Sequence, residues 1–326
     1  MRSKAAAKPL QNTAPSLQET RWQTFVRHFK RDWQLYLIIL LPAIYVAIFY
    51  YGPMYGVQIA FRDYRIKDGI TGSKWVGWKW FQKFLNNYEF KAVLRNTLSI
   101  SFYTIFAGFP LPIIFALLLN SIENPKFKKI TQNICYIPHF FSVVVLVAII
   151  RMLFSANSGL YGNIYRALIG SAPPDWRNQA EVFPHLYVWS GVWQNLCWDS
   201  IIYTAALSSI SPELHEAATL DGATKWQRVL HVDLPGILPT VAIMLILRFG
   251  SVMSVGFEKV YLMQSTLNLR VSEVISTYVY KVGMASAKDF SYGSAVGLFN
   301  SVINVIMLVT VNWVSKRVSS DEVSMF

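Results

Sequence analysis

Charge is scarce in this sequence and cysteine scarcer still. Only 15% of its 326 residues are Asp, Glu, Lys or Arg, while 53% are hydrophobic. Soluble domains carry close to a quarter charged residues, so the shortfall excludes an ordinary soluble protein and leaves an integral membrane protein. The two cysteines, Cys135 and Cys197, lie inside apolar runs with no disulfide or metal spacing, which makes them packing residues. Catalytic signatures are missing as well. There is no G-x-x-x-x-G-K-S/T to cradle ATP phosphates, no H-E-x-x-H and no G-x-S-x-G, so no catalytic residue is nominated and any use of ATP is in trans. The five histidines, His28, His139, His185, His215 and His231, are scattered and read as interfacial or capping residues. Negative charge is the rarer sign. A net charge of +12 points to anionic lipid, an acidic partner or an anionic substrate, and composition does not choose among them. Residues 1–32 are polar and basic, without the apolar core and small-residue cleavage site of a signal peptide. They read as a tail leading into an interfacial segment.

What is abundant is apolar sequence in long runs. These predict six spans, at about 33–57, 96–119, 130–154, 183–207, 235–257 and 292–314, each long enough for the ~30 Å of hydrocarbon that takes about 20 helical residues to cross. Pro42 and Pro53 kink the first span and Pro110 and Pro112 the second. Residues 58–95 form an outer loop whose Trp75, Trp78 and Trp80 suit the membrane surface. Residues 155–182 are polar, with Pro173-Pro174 as a break. Between the last two spans, Val271, Val274, Ile275, Tyr278 and Val282 fall at helical spacing and predict an amphipathic helix over 271–283, lying on or re-entering the outer surface. Residues 316–326 are a short tail. Six spans place both termini on one side with the 120–129 connection. Lysine and arginine counts barely decide which side that is, because the first outer loop carries Arg62, Arg65, Lys67, Lys74, Lys79, Lys83 and Lys91.

One polar island, residues 211–239, interrupts the apolar runs: SPELHEAATLDGATKWQRVLHVDLPGILP. Ser211 is a good N-cap and Pro212 suits the first helical position, with Leu214, Ala217, Ala218 and Leu220 on one face. Asp221-Gly222 stops that helix, Thr224 caps a second, and Asp233 and Pro235 open the next span. The result is a knob. Ala217, Ala218, Gly222 and Ala223 let another backbone approach closely, and Glu216 offers a charge to a cationic partner. These residues resemble the EAA loop of binding-protein-dependent ABC importer permeases, matching at Glu216-Ala217-Ala218, Gly222 and Val232-Asp233-Leu234-Pro235, with valine where that family prefers isoleucine. Segments such as LYLIILLPAIYVAIFYYGPMYGVQIAFRDY and RNTLSISFYTIFAGFPLPIIFALLLN look like the oligosaccharide permeases that include the bacterial alginate importer permease. The resemblance implies an all-α membrane protein with six transmembrane helices and a type I importer (MetI-like) core. Residues 211–234, with Glu216, Ala217, Ala218, Asp221, Gly222 and Ala223, would be its ATPase-coupling loop. It further implies a second homologous permease, two cytoplasmic ATPases that hold ATP and Mg²⁺, an extracytoplasmic solute-binding protein, cytoplasmic termini in a bacterial inner membrane, and no nucleic acid.

Polar groups inside the spans carry the remaining signal, since a charge near the bilayer centre costs about 3 kcal/mol on insertion scales. Asp199 shares a helical face with Asn195, near Gln194 and Trp198, and Arg248 sits near the middle of the fifth expected span. Asp199 and Arg248 either pair with each other or line a wet pathway, and the sequence leaves both open. Asn300 and Asn304, four apart on the last span, would face a helix partner or the same pathway. Arg95 and Arg151 near the outer ends of their spans, with Arg248 deeper, would form a descending cationic series suited to an anionic, uronate-like cargo. The rival reading is an ATP-independent secondary transporter, which leaves the EAA-like loop without a purpose and lacks the expected inverted repeat.

Overall fold

The computed structural model describes residues 21–175, 179–285 and 289–318, so residues 1–20 of the expected N-terminal tail and 319–326 of the C-terminal tail lie outside the described residues. The chain divides after Val57. In the first unit, α1 (Arg21–Val46) loses helical geometry at Asp32 (φ −108°, ψ 18°), where Arg31 and Asp32 pair at 2.9 Å. A π turn (Ala47–Tyr51) and α2 (Gly52–Met54) extend it. The run Phe29–Phe61 has a mean hydropathy of 2.0 and none of its most apolar window is buried, as expected of a helix whose solvent is lipid or a partner.

The second unit opens with more structure than a loop. Strands β1 (Arg62–Arg65) and β2 (Ser73–Trp75) pair antiparallel, Arg62 opposite Trp75 and Asp63 opposite Lys74, around the short α3 (Gly69–Gly72). The segment α4 (Lys79–Leu85) follows. Aromatic packing explains the order: Phe61 stacks on Trp75 at 5.5 Å and meets Phe81 at 5.3 Å, while the Trp80 indole donates to the Arg62 carbonyl at 2.9 Å. Trp75 and Trp78 stay exposed, but Trp80 is buried with Phe84 in the core, so one of the three expected surface tryptophans is a packing residue.

Helix α5 (Tyr88–Gly108), capped by Asn87, runs on into α6 (Pro110–Asn120). It begins eight residues before the expected span, because its first turns are polar and invisible to hydropathy. The span expected at 130–154 is a broken pair, α7 (Pro125–Tyr136) and α8 (Val143–Leu153), bent by 97°. Pro138 sits in the 3-10 turn Ile137–Phe140 between them, Phe141 is extended, and the Ser142 hydroxyl caps α8 by accepting from Val145 N. The two together are apolar enough to cross a membrane, so composition conceals the corner. A short α9 (Leu160–Ile169) lies in the polar stretch beyond.

Helix α10 (Phe183–Leu207) packs against α5, α6 and α13. The knob helices α11 (Pro212–Leu220) and α12 (Lys225–Arg228) lead through a π turn (Val229–Asp233) into α13 (Leu234–Gly250). That helix ends seven residues short of the expected 257. Beyond it Asn304 accepts from Met253 N at 2.9 Å and donates to Ser254 Oγ at 3.0 Å, holding non-helical backbone inside the fold. Then come α14 (Phe257–Met263), α15 (Leu269–Ser272), α16 (Ile275–Tyr280) and α17 (Phe290–Val318). The single amphipathic helix expected over 271–283 is therefore two pieces broken at Glu273 and Val274. Val274, Ile275 and Tyr278 are buried, the Tyr278 hydroxyl bonded to Tyr292 at 2.9 Å, so this segment enters the core and does not lie on a surface. Among the described residues, four helical runs are long and apolar enough to cross a membrane and the bent pair makes a fifth; α10, less apolar but about 37 Å long at 1.5 Å per residue, is long enough for a sixth.

The π turn after α16 meets α17 at two glycines, and a Cβ built at Gly293 would stand 2.9 Å from Gly283 Cα, whereas one at Gly297 meets nothing within 4 Å. Gly293→Ala should therefore lower the thermal midpoint of the purified protein by a few degrees, through overpacking of about 1–3 kcal/mol. Gly297→Ala should leave it unchanged or raise it, alanine being the better helix former. Equal midpoints for the two variants would disprove the close packing.

Candidate coupling surface and translocation cleft

The knob is rigid at both corners. Ser211 accepts from Glu213 N to start α11, and Gly222, left-handed at φ 79°, ends it. Gly222 N donates to Thr219 O at 3.1 Å and Ala223 N to Ala218 O at 2.9 Å, the paired bonds of a Schellman motif. Thr224 and Gln227 then cap each other reciprocally at the head of α12. Side chains bind the two corners together: Arg228 donates to Thr219 at 3.0 Å, and His215 Nε2 lies 3.2 Å from buried Asp233 in a contact not aligned as a hydrogen bond. Lys225 reaches Glu123 in the α6–α7 connection at 2.5 Å, and its hydrogen bond and charge hold that carboxyl below its ordinary range.

Rigid as it is, the knob is open to its surroundings. No residue of α11 is buried, Glu216, Ala217, Asp221 and Gly222 are exposed, Ala218 and Ala223 are half-buried, and Leu220 and Trp226 are 89% and 64% exposed. Beyond Gly222 there is no atom within 4 Å of where a Cβ would be. Small side chains and bare apolar ones thus lie beside the exposed acidic groups of Glu213, Glu216 and Asp221, the composition of an interaction surface.

Farther along α13 the polar groups converge. Arg248, in the last turn, where a cation complements the helix dipole, donates to Asp199 on α10. Both line a half-open cavity of about 350 Å³ with Thr104, Tyr187, Gly191, Gln194, Asn195 and Lys259. Asn195 Oδ1 meets His139 Nδ1 at 3.0 Å, and the His139 ring stacks on Trp198 with centroids 4.1 Å apart and planes 4° off parallel. Gln194 donates to the Phe141 carbonyl at 2.8 Å, so the corner of the bent pair is pinned to α10 beside the cavity.

The structure thus brings together Asn195, Trp198, Asp199 and Arg248, and answers the open question about the last two: they pair and they line a cavity. Asn300 and Asn304 do not join them. Asn304 holds the backbone after α13, and Asn300 lies outside the cavity lining with its Oδ1 buried. Neither Arg95 nor Arg151 lines this cavity. Arg95 is exposed, and Arg151 donates to the Leu262 carbonyl beside a separate cavity of about 300 Å³. Two residues were missed, His139 and Lys259. His139 follows Pro138 in an aromatic stretch, a signal for an irregular turn, but nothing local pairs it with Asn195. Lys259 is a lone cation in an apolar segment, the kind of signal that singled out Arg248, hidden by its place just past the expected span.

A helical membrane protein with a polar cleft among its helices and an exposed knob continuous with one of them has the layout of a transport subunit. Residues 108–320 match the family of binding-protein-dependent transport system inner membrane components. The chain is 37% identical to protein LplB of Bacillus subtilis strain 168, over 95% of this chain and 96% of that one. To the polygalacturonan/rhamnogalacturonan transport system permease protein YteP of the same organism it is 35% identical, over 97% and 98%. A crystal structure of a bacterial alginate ABC transporter, in complex with an alginate pentasaccharide-bound periplasmic protein, contains a chain that superposes with a TM-score of 0.81 at 34% identity, covering 90% of this chain and 98% of that one. The chain belongs to this family: it is an inner-membrane permease subunit of an ABC importer for sugars or oligosaccharides, and not an enzyme. That membership sets aside the secondary transporter.

The Asp199–Arg248 pair makes a stability prediction. Asp199→Asn and Arg248→Gln should each lower the thermal midpoint of the purified protein, since each strands a half-buried charge. The double variant should recover part of the loss, giving a coupling of about 1–2 kcal/mol, below the 3–5 kcal/mol of a fully buried pair because water reaches both groups. Strictly additive losses would mean that the contact carries no energy.

Proposed function

We propose that this chain is the pathway and lever subunit of an ATP-driven importer of anionic, uronate-like oligosaccharides. The observation that carries the lever is continuity: the exposed knob passes through the π turn into α13, and α13 ends in the Arg248 that lines the cleft. In this reading a cytoplasmic ATPase covers α11, with Glu216 and Asp221 toward its cations and Ala217, Ala218, Gly222 and Ala223 allowing close approach. Closure of the ATPase pair on ATP and Mg²⁺ then tilts α13 and switches the cleft to face outward. A second, homologous permease supplies the open wall of the cleft, and an extracytoplasmic binding protein delivers the sugar. The His139–Trp198 stack and Asn195 offer a face and hydrogen bonds to any sugar. Acidic cargo is supported by the surplus positive charge and by the polygalacturonan and alginate transporters that the chain resembles.

In the complex reconstituted with its partners, a uronate oligosaccharide should stimulate ATPase activity more than a neutral one of equal length. Glu216→Lys and Gly222→Asp should abolish that stimulation and reduce co-purification of the ATPase while leaving membrane insertion intact. Stronger stimulation by the neutral sugar removes the acidic cargo, and normal stimulation in both variants removes the lever. Orientation is checked separately. With Cys135 and Cys197 replaced, Lys74→Cys should react with an impermeant thiol reagent in spheroplasts and Lys225→Cys should not; the opposite pattern inverts the topology, placing the knob and termini outside.

A further inference from the structure

Three charged side chains line the cleft, and two of them cancel, since Arg248 is held by Asp199. Lys259 on α14 is different. Its Nζ donates to the Tyr187 carbonyl at 2.8 Å and lies 4.7 Å from the centre of the Tyr187 ring, and among the described residues it has no carboxylate at ion-pairing distance. An ammonium has three donors, and one carbonyl occupies one of them. Space is kept for the group: a Cβ at Gly191 would stand 3.1 Å from Nζ. Tyr187, Gly191, Asn195 and Asp199 recur every fourth residue and form one stripe of α10, about 18 Å long at 1.5 Å per residue. Lys259 stands at one end of it, the Asp199–Arg248 pair at the other, and Asn195 with His139 between.

We propose that Lys259, and not Arg248, reads the negative charge of the cargo: its ammonium takes a carboxylate of an acidic oligosaccharide moving along α10, in the space that Gly191 leaves. This rests on the acidic cargo proposed above. A half-buried ammonium with donors to spare gains more from a carboxylate than from a sugar hydroxyl, because a charge-assisted bond repays desolvation that a neutral one does not. Arg248 would first have to leave Asp199. Binding there would cost an ion pair for every one formed.

The test uses the complete reconstituted complex with its binding protein, an oligogalacturonate as probe, and the methyl ester of the same oligomer, which keeps the shape and removes the charge. Each variant is compared with wild type on the same cargo, so selection by the binding protein cancels. Lys259→Gln should lower ATPase stimulation by the acid about tenfold, the worth of one charge-assisted hydrogen bond, and leave the response to the ester largely unchanged. Lys259→Arg should keep the preference for the acid, while Gly191→Ala, which displaces the ammonium without removing it, should weaken that preference part way. Co-purification of the partners controls for assembly. Equal loss on both cargoes assigns Lys259 to structure and overturns the proposal, as does an acid response that survives Lys259→Gln. A wild-type complex with no preference for acid over ester overturns the acidic cargo itself, a result distinct from a wild-type preference that Lys259→Gln does not touch.

Discussion

The contact between Asp199 and Arg248 is the constraint on which the arrangement of helices turns. A charge facing hydrocarbon costs about 3 kcal/mol near the bilayer centre, and here the two charges turn to each other on the wall of a cleft, which holds α10 and α13 side by side with these positions in register. Once they are so held, the loop joining them is forced into a compact connection at one end. That connection is the knob. The bent pair is drawn in by Gln194 and Asn195, and the broken end of α13 is closed by Asn304. Polar contacts, more than apolar packing, set which helix neighbours which, because lipid gives apolar faces no reason to prefer one partner over another.

What could be read from the sequence follows from how local each signal is. The knob was legible almost residue by residue, since Ser211, Pro212, Gly222 and Thr224 act on backbone groups within a few positions of themselves. Asp199 and Arg248 stood out as charges in apolar runs, but whether they met was a tertiary fact. His139 and Lys259 find their partners 56 and 72 residues away, and no periodicity encodes that. Hydropathy measured how apolar a segment is and not whether it is straight, so the corner at Pro138 and the early end of α13 were both averaged into single spans. The hairpin after the first helical run was missed because β1 and β2 are held by a cluster of Phe61, Trp75 and Phe81, aromatics that in a membrane protein equally describe an interfacial belt.

The unbroken path from Asp233 to Arg248 has one more consequence. Fifteen residues of helix span about 22 Å, and a displacement passed along such a connection would have no preferred direction. If the protein that covers α11 binds one state of the cleft more tightly than the other, then whatever occupies the cleft must change the affinity of that protein for α11 by the same factor, as thermodynamic linkage requires. The loaded cleft would thereby advertise its cargo at the far face of the membrane, and the lever proposed to let nucleotide move sugar would be the same one through which sugar summons nucleotide hydrolysis.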